Sequence, residues 1–129
     1  MARKRSPVLT EGELRLMEVL WKRGRATVGE ITEALKKHKL AYSTVLTTMR
    51  ILETKGYVKH TEAGRAFVYE PLVARDAASR SAVAQVLKRF FNDSPAQLAL
   101  RLLEDEQLDD AALEELRARI RDAKKGEKR

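Results

Sequence analysis

The segment of this chain best equipped to bind another molecule is residues 41–57, AYSTVLTTMRILETKGY. At about 100° per residue, its apolar side chains Val45, Met49 and Leu52 form one narrow stripe. The opposite side presents hydroxyls, methyls and a guanidinium, from Ser43, Thr44, Thr47, Arg50, Ile51 and Thr54. Such groups contact base edges in the major groove of DNA, and this face holds no carboxylate that would repel phosphate. The pattern is that of a helix laid against DNA, and also that of an amphipathic surface helix facing water.

The composition is that of a globular chain long enough for one ordinary domain or two small ones. It has 129 residues, of which 43% are hydrophobic and 35% charged. The absence of cysteine excludes disulfides, thiolate metal sites and cysteine catalysis. The first residues contain no apolar run of signal-peptide length, and no window approaches a membrane span. We therefore expect a cytoplasmic protein without membrane insertion.

The net charge of +7 is distributed unevenly along the chain. Residues 1–72 hold 14 Lys and Arg against 8 Asp and Glu, whereas residues 73–129 hold 12 against 11. The positive charge belongs to the half that contains the polar helix face, which is the pattern of a nucleic-acid-binding module. Residues 1–7, MARKRSP, are predicted to form a flexible basic arm.

Helix-start signals place two further helices before this segment. Two capping boxes, in which a hydroxyl and a carboxylate each accept a backbone amide, are formed by Thr10 with Glu13 and by Thr27 with Glu30. The expected inward residues of these two helices are Leu14, Met17, Leu20 and Trp21, then Ile31, Ala34 and Leu35. We expect Ser43 to cap the third helix, and Lys55-Gly56 to end it because glycine suits the left-handed conformation there.

The sequence after Gly56 changes from helical to strand periodicity. Residues 57–61 and 66–70 are rich in β-branched and aromatic side chains, and residues 62–65 between them have turn chemistry. Three helices followed by a hairpin is the order of a winged helix, in which the third helix reads DNA and the hairpin is the wing. The predicted DNA-binding residues are Ser43, Thr44, Thr47, Arg50, Ile51, Thr54, Lys55 and Arg65.

The remaining sequence predicts three helices that differ in character from the first three. Their expected limits are residues 73–92, a helix from Pro95 after the cap residue Ser94, and residues 111–121 after a cap at Asp109 or Asp110. Fewer than sixty helical residues cannot bury a large core by themselves, and two-fold dimers match symmetric DNA sites. The residues expected to join two copies into a homodimer are Val83, Val86, Leu87, Phe90, Phe91, Leu98, Leu102, Leu113, Leu116 and Ile120.

These patterns together predict a mainly α fold with a small β-hairpin. A winged helix-turn-helix is expected over residues 8–72 and a three-helix dimerisation region over residues 73–123. Residues 124–129 are expected to be a disordered polar tail.

The sequence gives no support for catalysis. His38 and His60 fall on different elements without metal-ligand spacing, and no nucleophile motif or glycine-rich phosphate loop is present. We therefore expect a protein that is not an enzyme and that needs no cofactor or metal. Two other classes stay open besides a DNA-binding repressor: a winged helix used for protein–protein assembly, and a regulator controlled by a small ligand.

Several stretches resemble the penicillinase repressor family, the winged-helix repressors of the BlaI, MecI and CopY type. They are LTEGELRLMEVLW, ATVGEITEAL, LAYSTVLTTMRILETKGYVKH and GRAFVYEPLV, followed by SPAQLALRLLEDEQLDDAALEEL in the family's dimerisation region. The resemblance covers roughly residues 7–121 and is most specific from Ser43 to Gly56.

The resemblance implies a homodimeric repressor on a palindromic double-stranded DNA operator. By position, Ser43, Thr44, Thr47 and Arg50 would face the major groove, and Arg65 would approach a phosphate. In this family, genes for β-lactam resistance or copper handling are held off, and a membrane sensor protease pathway relieves repression in some members.

Three features depart from the family's pattern. Many relatives have Arg-Arg-Leu where this chain has Arg50-Ile51-Leu52, so one expected cation is missing and the target sequence of the family does not carry over. Arg101-Leu102 stands where the β-lactam-responsive members are cut at an Asn-Phe bond. The cysteine-rich copper motif is missing, because the chain has no cysteine.

Overall fold

Three helices, a small sheet and the greater part of a fourth helix form the first of two structural units in the computed structural model, which describes residues 8–105 and 107–127. The first unit ends at Val86 and the second begins at Leu87. The elements are α1 (Glu11–Arg23), β1 (Ala26–Thr27), α2 (Val28–Ala34), a 3-10 turn (Lys36–His38), α3 (Tyr42–Lys55), β2 (Val58–Ala63), β3 (Ala66–Pro71), α4 (Arg75–Phe90), α5 (Pro95–Asp105) and α6 (Asp110–Glu127). The predicted arm, residues 1–7, lies outside the described residues.

Both predicted capping boxes are present. The Glu13 and Glu30 amides donate to the Thr10 and Thr27 hydroxyls at 3.1 Å, and the two carboxylates accept the threonine amides at 2.9 Å. The predicted cap of α3 was wrong: the N-cap is Ala41, which has no side-chain hydrogen bond, and Ser43 lies within the helix. As predicted, Gly56 ends α3 in the left-handed conformation, at φ 92°.

The sheet is antiparallel, with the strand order β1-β3-β2. The short β1 pairs Ala26 with Tyr69, and the hairpin pairs Val58 with Pro71 at one end and Ala63 with Ala66 at the other. The hairpin turn is therefore shorter than the sequence predicts. Only Gly64 and Arg65 connect the strands, and Gly64 supplies the positive φ of 64° that a two-residue turn requires.

The first unit is organised around one core to which each of its α-helices and strands contributes. Its buried hydrophobic residues are Leu16, Met17, Leu20, Ala26, Val28, Ile31, Val45, Met49, Leu52, Tyr57, Val58, Tyr69, Val73 and Ala78. Two predicted inward residues are wrong, since Leu14 and Ala34 are exposed. The buried stripe of α1 includes Leu16 instead. Leu14 lines a groove with Trp21 and the start of α4.

Trp21 joins the segment after the hairpin to this core. Its Nε1 donates to the Val73 carbonyl at 2.9 Å, and the Arg75 guanidinium lies 4.9 Å from the centre of its ring. Arg75 also forms an ion pair with Glu18. The first turns of α4 thus belong to the first unit, which we call the winged-helix unit.

The second unit contains the end of α4, α5 and α6. Ser94 accepts the Gln97 amide at 3.1 Å and Asp109 accepts the Ala112 amide at 2.8 Å, so both predicted caps are present. Positive φ values at Asn92 and Asp93 end α4 before the predicted limit. The last helix continues to Glu127, into the predicted polar tail, because Ala123, Lys124 and Lys125 are good helix formers.

Candidate nucleic-acid interface

The face of α3 opposite the core is open to solvent. Val45, Met49 and Leu52 are fully buried, so the helix is fixed in one rotation against the core. The residues exposed on its other side are Ser43, Thr44, Thr47, Arg50, Ile51 and Thr54. Arg65 in the hairpin turn is exposed as well. Seven of the eight predicted DNA contacts are therefore accessible to a duplex.

Lys55 lies away from this face, in an ion pair that joins the end of α3 to the start of α1. Its Nζ is 2.8 Å from Glu13 Oε1, and the two side chains are only 20% and 7% exposed. Although burial acts to raise the pKa of Glu13, hydrogen bonds from Lys55 and from the Thr10 amide lower it below its usual range. Lys55 is thus engaged within the fold, and the proposed interface does not include it.

Replacing Glu13 should show that this ion pair stabilises the fold. Glutamine can still serve the capping box, so Glu13→Gln removes only the charge that faces Lys55. We expect the free energy of unfolding, measured with urea at neutral pH, to fall by about 1–3 kcal/mol. Because the folded pKa is lowered, this contribution is present above the unfolded pKa of about 4.3 and is lost as the pH falls through the folded value. The difference between parent and variant should therefore shrink at acid pH.

Glu30→Gln is the matched control for this variant. Glu30 occupies the same capping-box position in α2, but its charge partner, Arg23, lies 3.3 Å away on the exposed surface. We expect a smaller loss of stability than for Glu13→Gln. Equal losses in the two variants would show that the Glu13–Lys55 pair makes no special contribution.

The hairpin places one cation in its turn, beside α3. Arg65 is exposed and, with Arg50, lines a crevice between α3 and the start of β3. Tyr42, the first residue of α3, lines the same crevice, and its side chain is 57% exposed. The sequence pattern did not indicate Tyr42, because its position lies between the buried stripe and the polar face.

Glu53, the carboxylate carried by α3, is engaged by the hairpin. Both of its oxygens lie 2.9 Å from Nδ1 of His60 on β2. The His60 ring packs against Phe67 and Tyr69, at centroid distances of 4.6 and 5.5 Å. Burial raises the pKa of Tyr69, and the Glu53 charge adds to the rise. Glu53 is therefore held beside the hairpin at the edge of α3.

The turn before α3 adds further positive charge to the same unit. Lys36 and Lys37 begin a 3-10 turn, and Lys39 follows it in the left-handed conformation. Lys36 pairs with Glu33 at 3.1 Å, and the neighbouring cations are exposed. Lys39 lies three residues before the start of α3 in sequence, and Lys37 lies five residues before it.

Within residues 8–105 and 107–127, no group of three His, Asp or Glu side chains could hold a metal ion. Over the same residues, no helix combines the length and the apolar character needed to cross a membrane.

The predicted dimerisation residues fall on α4, α5 and α6 or, in the case of Phe91, just after α4. Val83 and Val86 belong to the first unit and the others to the second. Within the single chain, Val83, Val86, Phe90, Leu102, Leu116 and Ile120 are exposed, and Leu87, Phe91, Leu98 and Leu113 are half-buried. None of the described residues of α5 and α6 is fully buried, and Leu100 and Leu103 on α5 are also exposed.

The fold and the exposed face of α3 define a winged-helix protein of the DNA-binding class. The chain belongs to the penicillinase repressor family, which it matches over residues 9–122, and that family consists of DNA-binding transcriptional repressors. It is 30% identical to a penicillinase repressor of Bacillus licheniformis over 114 residues, which are 88% of this chain and 89% of the relative. It is also similar to the solution structure of the DNA-binding domain of the repressor BlaI. That similarity has a TM-score of 0.52 and 30% identity, and it covers 58% of this chain and 93% of that domain.

Proposed function

We propose that this protein represses transcription by binding a palindromic operator as a homodimer. The observation that carries the proposal is the exposed, carboxylate-free face of α3. The opposite face of this helix packs against the core. Threonine methyls can contact thymine methyls, and hydroxyls can bond to base edges or phosphates. The sequence would be read by Ser43, Thr44 and Thr47, with Ile51 and Thr54 beside them.

Apolar side chains that are exposed on the second unit support the proposed homodimer. Apolar side chains such as Phe90, 71% exposed, and Ile120, 56% exposed, would be covered by the same surface of a second copy. Two copies related by a two-fold axis would place their α3 helices in successive major grooves, about 34–36 Å or a multiple of this apart. A palindromic operator has the matching symmetry, and a bound dimer would block transcription initiation.

We also propose that repression is relieved by a sensor-linked signal such as proteolysis of the second unit. Arg101 and Leu102, which replace the family's Asn-Phe pair, lie exposed within α5. Cleavage would separate the two DNA-binding units of a dimer without altering either one. Because this bond differs in chemistry, we expect a protease of different specificity or a different bond.

The salt dependence of DNA binding tests the proposed function. The affinity of the full chain for a duplex that it selects from a random oligonucleotide pool should fall steeply with salt. Each phosphate contacted contributes about −0.9 to the slope of log K against log salt. A random-sequence duplex should bind more weakly at every salt concentration. If no duplex is selected, and binding is weak and insensitive to salt, the proposed function is refuted.

A further inference from the structure

One crevice in the first unit brings together both arginines of the candidate interface. Tyr42, Leu46 and Arg50, spaced four residues apart, line its α3 side, and Arg65 and Phe67 line its hairpin side. The remaining lining residues are Thr27, Val28, Gly29 and Ala66. The crevice has a volume of about 340 Å³ and is open to solvent. Its lining therefore combines apolar side chains with two guanidinium groups and a phenol.

Neither guanidinium group of this crevice has an ion-pair partner among the residues that the structure describes. Neither Arg50 nor Arg65 appears in any of the ion pairs found there, and none of the lining residues is acidic. Glu53, one turn after Arg50, lines a neighbouring pocket with it, but both Glu53 oxygens lie against His60. Two cations without an ion-pair partner in one crevice create a local positive potential that favours an anion.

We propose that Arg50 and Arg65 bind the same phosphodiester of the DNA backbone, with the Tyr42 hydroxyl as a further donor. This inference rests on the proposed function. When a helix lies in the major groove and a wing lies beside it, one sugar-phosphate strand runs between the helix and the wing. Guanidinium groups bind phosphate through paired, charge-assisted hydrogen bonds. Arg50 is then a phosphate anchor that fixes the register of α3, and base reading falls to the hydroxyl side chains.

A double substitution distinguishes one shared phosphate from two separate ones. Arg50→Gln, Arg65→Gln and the double variant are titrated against the selected duplex over a range of salt concentrations. With one shared phosphate, each single variant keeps most of the salt slope and the double variant loses about 0.9 per protomer. With separate phosphates, each single variant loses about 0.9 and the double variant about 1.8 per protomer, and the proposal fails.

An uncharged methylphosphonate, placed at one phosphate per half-site at a time, locates the contact. At one position the methylphosphonate should weaken binding of the parent. At that position the parent and the double variant should bind the duplex with equal affinity. If no single position has this effect, the shared contact is refuted. Tyr42→Phe should weaken binding of the unmodified duplex and leave binding of that modified duplex unchanged.

Arg80→Gln is the charge-matched control, because Arg80 lies on α4 and pairs with Asp76 at 3.0 Å. It should leave the slope unchanged. A parent that shows no salt-dependent binding would refute the proposed function itself. A parent that binds normally but whose arginine variants have additive slopes would refute only the shared phosphate.

Discussion

Thr47→Glu is expected to abolish selective operator binding while leaving the protein folded and its oligomeric state unchanged. Thr47 lies at the middle of the exposed face of α3, opposite the fully buried Val45, Met49 and Leu52. A carboxylate there would face the phosphates that line the groove and would replace a methyl and a hydroxyl. Loss of one good base contact costs about 1–3 kcal/mol, and repulsion adds to this, so affinity should fall by at least about tenfold.

The measurement is a titration of parent and variant against the selected duplex, with circular dichroism and sedimentation as checks on fold and assembly. Ala77→Glu is the matched control, since Ala77 is exposed on α4 and the variant adds the same charge to the same unit. It should bind almost as the parent does. If Thr47→Glu bound as tightly as Ala77→Glu, α3 would not be the reading helix.

Local sequence signals were enough to predict the winged helix. Each capping box is a contact between residues three apart, so Thr10 and Thr27 could be identified from spacing alone. The buried stripe of α3 follows from helical periodicity, and Gly56 from the need for a left-handed residue. The cap of α3 was missed because Ala41 has no side-chain acceptor and leaves no signal, whereas the nearby Ser43 does.

The surroundings of individual charges could not be predicted, because they depend on contacts between distant residues. Lys55 looks like a DNA contact in sequence, and its partner Glu13 lies 42 residues away. The Glu53–His60 contact and the crevice shared by Arg50 and Arg65 form only when the hairpin packs beside α3. Sequence therefore indicates which residues carry charge on this unit, and tertiary structure decides which of them are free to bind an anion.

Leu116→Asp is expected to convert a dimer into a monomer and to weaken operator binding strongly. Leu116 is exposed on α6 of the single chain, and we propose that a second copy covers it. An aspartate there would have to be buried without a partner in the dimer, which disfavours association. A dimer holds its second reading helix at a high effective concentration, so its loss should reduce affinity for a two-half-site duplex by about 10²–10⁴.

Sedimentation equilibrium at micromolar concentration measures the oligomeric state, and titrations with one and two half-sites measure binding. The variant should bind a single half-site as well as the parent does, because the winged-helix unit is untouched. Ala111→Asp, on the exposed first turn of α6, adds the same charge and should stay dimeric. A parent that sediments as a monomer would refute the homodimer, and the apolar surface of α4 to α6 would then require a different partner. A dimeric Leu116→Asp variant would instead place the dimer interface elsewhere on the chain.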